Sequence, residues 1–84
     1  MIQIRVRYFA SLREALGAGE TVELAAGTTL GGLRDLLVER GGRHADVLAA
    51  GRAVRCALDQ AMVDEGTVLA DDAEVAFFPP VTGG

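Results

Sequence analysis

The sequence predicts an α+β fold, a mixed β-sheet with one main helix packed across it. Three observations carry that class. In residues 2–9 the apolar Ile2, Ile4, Val6 and Tyr8 alternate with Gln3, Arg5 and Arg7, and in residues 74–78 Val75 and Phe77 share one face, the mark of strands buried on one side. Leu30, Leu33, Leu36 and Leu37 recur at the spacing of one helix face. The chain has 84 residues, half of them hydrophobic, which suits one small domain with one core.

In the first strand, Ile2, Ile4, Val6 and Tyr8 fall on one side and Gln3, Arg5 and Arg7 on the other. Residues 10–16 set Leu12, Ala15 and Leu16 at i, i+3 and i+4, a short helix stopped by Gly17. Residues 20–24 alternate again, with Val22 and Leu24 inward, as the hairpin partner of the first strand. Thr28 and Thr29, after Gly27, offer an N-cap to the main helix, whose leucine stripe ends at Gly41-Gly42. Gly31 and Gly32 in its first turn each weaken it by about 1 kcal/mol relative to alanine. Residues 45–50 suit one more helical turn. Residues 54–58 then read as a strand, Asp59-Gln60 as its turn, and residues 61–63 as a short return strand. Gly66 and Asp71-Asp72 punctuate the loop before the last strand, in which Val75 and Phe77 share a face. Sequence order leaves the strand order open, and a β-grasp arrangement accommodates every element.

Composition excludes several functions. No apolar run is long enough to span a membrane. The alternation that begins at Ile2 lacks the continuous apolar stretch of a signal peptide, so a cytoplasmic location is expected. A single cysteine, Cys56, excludes an internal disulfide and a cysteine-cluster metal site; a single histidine, His44, excludes zinc held by several imidazoles. All eight basic residues are arginine, which removes Walker A loops and Schiff-base lysines. Residues 1–55 hold those eight arginines against six acids, whereas residues 56–84 hold six acids and no base. An acidic half of that kind opposes nucleic-acid binding and suits a basic protein partner.

Most functional information lies in Phe77-Phe78-Pro79-Pro80-Val81-Thr82-Gly83-Gly84. Residues 1–78 are expected to form the folded domain and residues 79–84 an extended tail. Pro79 and Pro80 block both helix and ladder pairing and stiffen the exit toward polyproline geometry. Six tail residues at about 3.1–3.3 Å each reach roughly 19 Å. Gly83 and Gly84, lacking Cβ atoms, fit a narrow active site in another protein. A terminal carboxylate is a poor electrophile until it is activated, for example as an acyl-adenylate. Attack by a sulfur nucleophile then leaves a thiocarboxylate, with the terminus itself as the reactive group.

The run Glu74-Val75-Ala76-Phe77-Phe78-Pro79-Pro80-Val81-Thr82-Gly83-Gly84, the Tyr8-Phe9-Ala10 stretch leading into Leu12-Arg13-Glu14, and the Leu58-Asp59-Gln60 turn carry a resemblance. On them the whole chain resembles the MoaD/ThiS family of ubiquitin-like sulfur carriers, most of all the small subunits of molybdopterin synthase. The tail match is the most specific; residues 41–55 match in pattern only. The resemblance implies a ubiquitin-like β-grasp fold. It implies that an ATP-using partner, similar to ubiquitin-activating enzymes, adenylates Gly84, which is then converted to a thiocarboxylate. Inside a large subunit the sulfur would pass to cyclic pyranopterin monophosphate in molybdenum cofactor biosynthesis, in an assembly of two small and two large subunits. The chain itself would bind no cofactor and no metal, ATP being used by the activating partner. Gly84 would carry the chemistry, and Pro79, Pro80, Val81, Thr82 and Gly83 would thread the tail. Carriers that feed thiamine, cysteine or tRNA thiolation are close alternatives. Two rivals belong to other classes: a protein modifier joined to target amines through Gly84, and a binding domain with an inert tail.

Parity adds a docking surface. Phe78 lies opposite in parity to Val75 and Phe77, Phe9 to Ile2 through Tyr8, and Met62 to Ala61 and Val63. Three large apolar groups off the core side predict a partner-binding face, and the family's contacts with the large subunit fall at the matching positions. Cys56, mid-strand, reads as a small core residue and His44, beside Arg43 and Asp46, as a solvated connector. Asp64-Glu65 and Asp71-Asp72 read as solvated turns, and Arg5 and Arg7 as a solvated strand face.

Overall fold

A computed structural model of the chain describes residues 1–49 and 54–79. The elements run β1 (Ile2–Tyr8), α1 (Ala10–Leu16), β2 (Gly19–Leu24), α2 (Leu30–Glu39), α3 (Gly42–Leu48), β3 (Arg55–Leu58), β4 (Ala61–Met62) and β5 (Glu74–Phe78). The strands form one mixed sheet in the order β2-β1-β5-β3-β4. β1 pairs antiparallel with β2, Ile4 opposite Val22, and parallel with β5, Val6 opposite Val75. β5 is antiparallel to β3 on its other side, with Phe77 opposite Cys56. First and last strands thus lie side by side at the sheet centre, the β-grasp arrangement expected from the element order.

Alternation sorts the strand residues. Ile4, Val6, Tyr8, Val22, Leu24, Val75 and Phe77 form one core with Leu12 of α1, Leu30, Leu33 and Leu37 of α2, and Leu48 of α3. Full burial of each such aliphatic or aromatic side chain contributes about 1.5–3 kcal/mol.

Helix α2 departs from the expected stripe at one position. Leu36 is 36% exposed, whereas Arg34 is only 6% exposed. At about 100° per residue, positions 30, 33, 34 and 37 share one arc, and position 36 falls about 120° from position 30. Buried Arg34 is satisfied by long-range partners. Its Nε donates to the Leu48 carbonyl (2.6 Å), one terminal nitrogen to the Ala49 carbonyl (2.8 Å), and the other to the Glu65 carboxylate (2.6 Å). It thereby caps carbonyls at the end of α3 that no helical N–H can reach.

Glu65 is exposed, as expected of a turn residue, but it also pairs with the buried Arg34. Its backbone carbonyl also accepts from the Gly31 N–H (2.8 Å), and Thr67 accepts from Leu30 (2.9 Å). A Cβ at Gly31 would lie 3.2 Å from that Glu65 oxygen, so the close approach of the loop requires a small residue where helix propensity disfavours one. Thr29 caps the same turn, its hydroxyl accepting from the Gly32 N–H (3.1 Å).

One helix boundary shifts, and one expected turn is seen in detail. α3 is a full helix from Gly42, not a single turn from residue 45, because Gly41 and Gly42 take left-handed φ values of 73° and 55° that swing the chain straight from α2 into it. Asp59 and Gln60 both have positive φ, 47° and 71°, the two-residue turn whose twist matches that of a hairpin. Among the described residues, no helix is long and apolar enough to cross a membrane.

Candidate functional site

The sheet face opposite the core is organised by register into three rows. In the first, Phe78 stands opposite Arg55. Phe9 adjoins this row: its backbone is extended (φ −127°, ψ 157°) and its N–H donates to the Phe77 carbonyl (3.1 Å). The second row runs Arg7, Ala76, Ala57, Met62 across four strands. In the third, Arg5 faces Glu74 beside the Asp59-Gln60 turn. That turn is tied to β5 twice: the Asp59 N–H donates to the Glu74 carbonyl (2.8 Å), and Asp59 Oδ1 accepts from the Glu74 N–H (2.9 Å).

The apolar part of this face is compact. Phe9 is 37% and Met62 56% exposed, and Phe78 is half-buried although its neighbour Phe77 is completely buried. The small Ala76 and Ala57 between them leave a shallow floor. Arg5 and Arg7 are exposed, as expected of a solvated strand face, and they also have close neighbours. The Arg7 guanidinium sits 5.1 Å over the Phe9 ring and 3.9 Å from Glu74. Arg5 lies 3.4 Å from Asp72 and 3.6 Å from Glu74. Exposed pairs of this kind contribute only about 0–1 kcal/mol each, so they order the surface more than they hold the fold. Asp71 is also engaged, accepting from the Gln3 N–H (2.8 Å).

β5 lies between β1 and β3, so the chain leaves from the middle of the sheet after Phe78. Pro79, half-buried, follows the strand; Pro80, Val81, Thr82, Gly83 and Gly84 lie outside the described residues. Cys56 is on the core side, 5% exposed and opposite Phe77. Burial, and secondarily Glu65, push its thiol up to about 11 against the pull of Arg34. A thiol so placed is protonated at neutral pH and is a poor nucleophile.

One cluster escaped sequence reasoning. Tyr8 donates its hydroxyl hydrogen to Glu20 Oε2 (2.9 Å), His44 Nε2 lies 3.1 Å from the same oxygen, and Arg40 donates to Oε1. The His44 ring also meets Tyr8 edge-on at 6.3 Å. His44 is therefore not a solvated connector; it ties α3 to the β1–β2 pair. Burial alone would raise the Glu20 carboxyl, but the hydrogen bonds from Arg40, His44 and Tyr8 outweigh it and hold it below the usual range. Burial, and then Glu20, raise Tyr8. No local motif announces four partners spread from position 8 to position 44.

A β-grasp body whose outer sheet face no helix among the described residues covers, with a central strand followed in sequence by a diglycine that ends six residues on, defines a ubiquitin-like protein. Residues 6–84 match the ThiS family, and the chain belongs to that family. It is 40% identical to the molybdopterin synthase sulfur carrier subunit of Escherichia coli over 96% of this chain and 99% of that protein. It is also 40% identical to the protein of the same description from Mycobacterium tuberculosis, over the whole of both. Among solved structures, small archaeal modifier protein 1 of Haloferax volcanii superposes with a TM-score of 0.78 at 23% identity, covering 96% of this chain and 100% of that one. One chain of the complex of subunits 1 and 2 of molybdopterin-converting factor from Helicobacter pylori gives 0.70 at 23%, covering 99% and 100%. A Caldiarchaeum subterraneum ubiquitin gives 0.64 at 13%, covering 99% and 98%.

Proposed function

We infer that this chain is the sulfur-carrier subunit of a molybdopterin synthase, acting in the cytoplasm through the carboxyl group of Gly84. The observation that carries this reading is that the central strand β5 ends at Phe78, beside an apolar sheet face formed by Phe9, Phe78 and Met62, and that the sequence continues from there as Pro79-Pro80-Val81-Thr82-Gly83-Gly84. Full-length relatives at 40% identity that bear the description of such carriers support it.

In this reading a ubiquitin-activating-like adenylyltransferase joins the Gly84 carboxylate to the AMP moiety of ATP, releasing pyrophosphate. Hydrosulfide, delivered by a sulfur donor, attacks the acyl carbon, the bond to AMP breaks with AMP as leaving group, and a thiocarboxylate remains. The outer face docks on the large subunit, and Pro79 to Gly83 thread the terminus into its active site. There the sulfur passes to cyclic pyranopterin monophosphate, and water cleaves the acyl carbon–sulfur bond, supplying the oxygen that returns the Gly84 carboxylate. Two small and two large subunits make up the complex. The chain needs no cofactor of its own, because the leaving group comes from the partner's ATP.

Intact mass of the protein produced with its activating partner tests the chemistry. Replacement of one oxygen by sulfur adds about 16 Da. The modified protein is then mixed with the large subunit and the pyranopterin, and dithiolene product is assayed. An unchanged mass sinks the carrier reading. Reductant-stable adducts with other proteins in extract would instead identify a modifier. A thiocarboxylate that yields no dithiolene would move the chain to another thiolation pathway.

A further inference from the structure

Arg5, Asp59, Gln60 and Glu74 line a concavity of about 280 Å³ in the third row of the outer face, which the docking reading leaves unused. Its bonding capacity is lopsided. Arg5, the one cation in the lining, is already engaged by the Asp72 carbonyl (3.1 Å), the Asp72 carboxylate (3.4 Å) and Glu74 (3.6 Å). Asp59 uses Oδ1 for the Glu74 N–H, which leaves its second oxygen for a ligand. The Gln60 amide makes no hydrogen bond among the described residues. Arg7, just outside the lining, also lies 3.9 Å from the same Glu74 oxygen, so both nearby arginines are committed, and the second Asp59 oxygen, the other Glu74 oxygen and the Gln60 amide oxygen are left to accept hydrogen bonds from a cation. The concavity is also continuous with the apolar surface: Glu74 lies four residues along β5 from Phe78, about 13 Å at strand rise.

We propose that this concavity is a receptacle for a basic side chain of the partner protein that docks on the outer sheet face. The proposal rests on the docking reading above and adds a polar anchor about 13 Å from the aromatic one. The acidic character of residues 56–84, with six acids and no base, matches the same partner chemistry.

The test measures the dissociation constant of the full chain for the molybdopterin synthase large subunit of the same organism, at low and high salt. Glu74→Gln should bind about tenfold more weakly at low salt and show a flatter salt dependence, as loss of an interfacial ion pair requires. Gln60→Gly relieves a left-handed φ of 71°, so its Tm should rise while its binding weakens several-fold. A purely structural role for the turn would not move stability and affinity in opposite directions. If Glu74→Gln does not fold, Gln60→Gly decides alone. For Glu74→Gln, parent-like or tighter binding, or weaker binding with an unchanged salt slope, overturns the receptacle; for Gln60→Gly, parent-like or tighter binding does. Phe78→Ala, run in parallel, separates the two readings: weak binding there with a parent-like Glu74→Gln removes the receptacle and keeps the docking face. Parent-like binding by Phe78→Ala removes both.

Discussion

Phe77 and Phe78 are consecutive in β5 yet serve opposite sides of the sheet. Phe77 is completely buried, its ring stacked on Tyr8 with centroids 6.2 Å apart, while Phe78 stands half-buried in register with Arg55. One residue anchors the strand in the core. The next presents the surface from which the tail departs.

Truncating the two rings should accordingly give different phenotypes. Phe77→Ala is expected to cost about 3–5 kcal/mol of stability. Phe78→Ala should cost little stability but about 2 kcal/mol or more of binding to the large subunit. Denaturant melts and calorimetry on both variants check this, and a collapse of Phe78→Ala with intact affinity in the folded fraction would refute the assignment.

The terminal carboxyl of Gly84 is the reactive group of the proposed cycle. Adding one residue beyond Gly84, or deleting Gly84, should abolish sulfur transfer and leave the melting temperature unchanged. Dithiolene formation at the parent rate, with mass spectrometry showing the added residue still attached, contradicts it.

Arg34 bonds carbonyls at the end of α3 and the Glu65 carboxylate. Arg34→Met should destabilise the fold by about 2–4 kcal/mol, since each orphaned buried polar group costs about 1–3 kcal/mol. Arg34→Lys should recover only part, because one ammonium cannot reproduce the planar fork. Urea denaturation measures both, and parent-like stability of Arg34→Met would exclude the capping role.

Glu20 and Tyr8 make stability pH-dependent at both ends of the scale. The native Glu20 carboxyl titrates below its ordinary 4.5, so its ionised form stabilises the fold above that pH. The contribution is lost as pH falls through the lowered native value. Native Tyr8 titrates above its ordinary 10.0, so its neutral form stabilises below that pH and the contribution fades in stronger alkali. Glu20→Gln should be less stable than the parent at neutral pH, with the gap narrowing below pH 4.5. A gap that stays constant from pH 7 to pH 3 would show that the carboxylate charge is irrelevant (about one pH decade on either side of 4.5 suffices to see it).

Cys56 sits in the core with its thiol raised to about 11 by burial. Cys56→Ser should leave thiocarboxylate yield essentially intact and cost about 1–3 kcal/mol if the new hydroxyl finds no partner. Lost yield in a stably folded variant would instead make the thiol a sulfur relay.

The sequence by itself determined which side chains of β1 and β5 face the core and where the main helix lies, and it is the source of the role proposed for the tail. Those are local properties: strand parity, helical period, and the chemistry of Pro79-Pro80 and Gly83-Gly84 are written in neighbouring residues. Tertiary structure decided where the charges go. Arg34 occupies a core arc of α2 because acceptors 14, 15 and 31 residues away meet it there. His44 looked like a connector until folding brought α3 against Glu20, 24 residues distant in the chain. Likewise the third row of the outer face exists only because β5 inserts in parallel beside β1 and pairs on its other edge with β3. A buried or half-buried polar group needs a specific partner, and the pairing is set by chain topology, which no local pattern encodes.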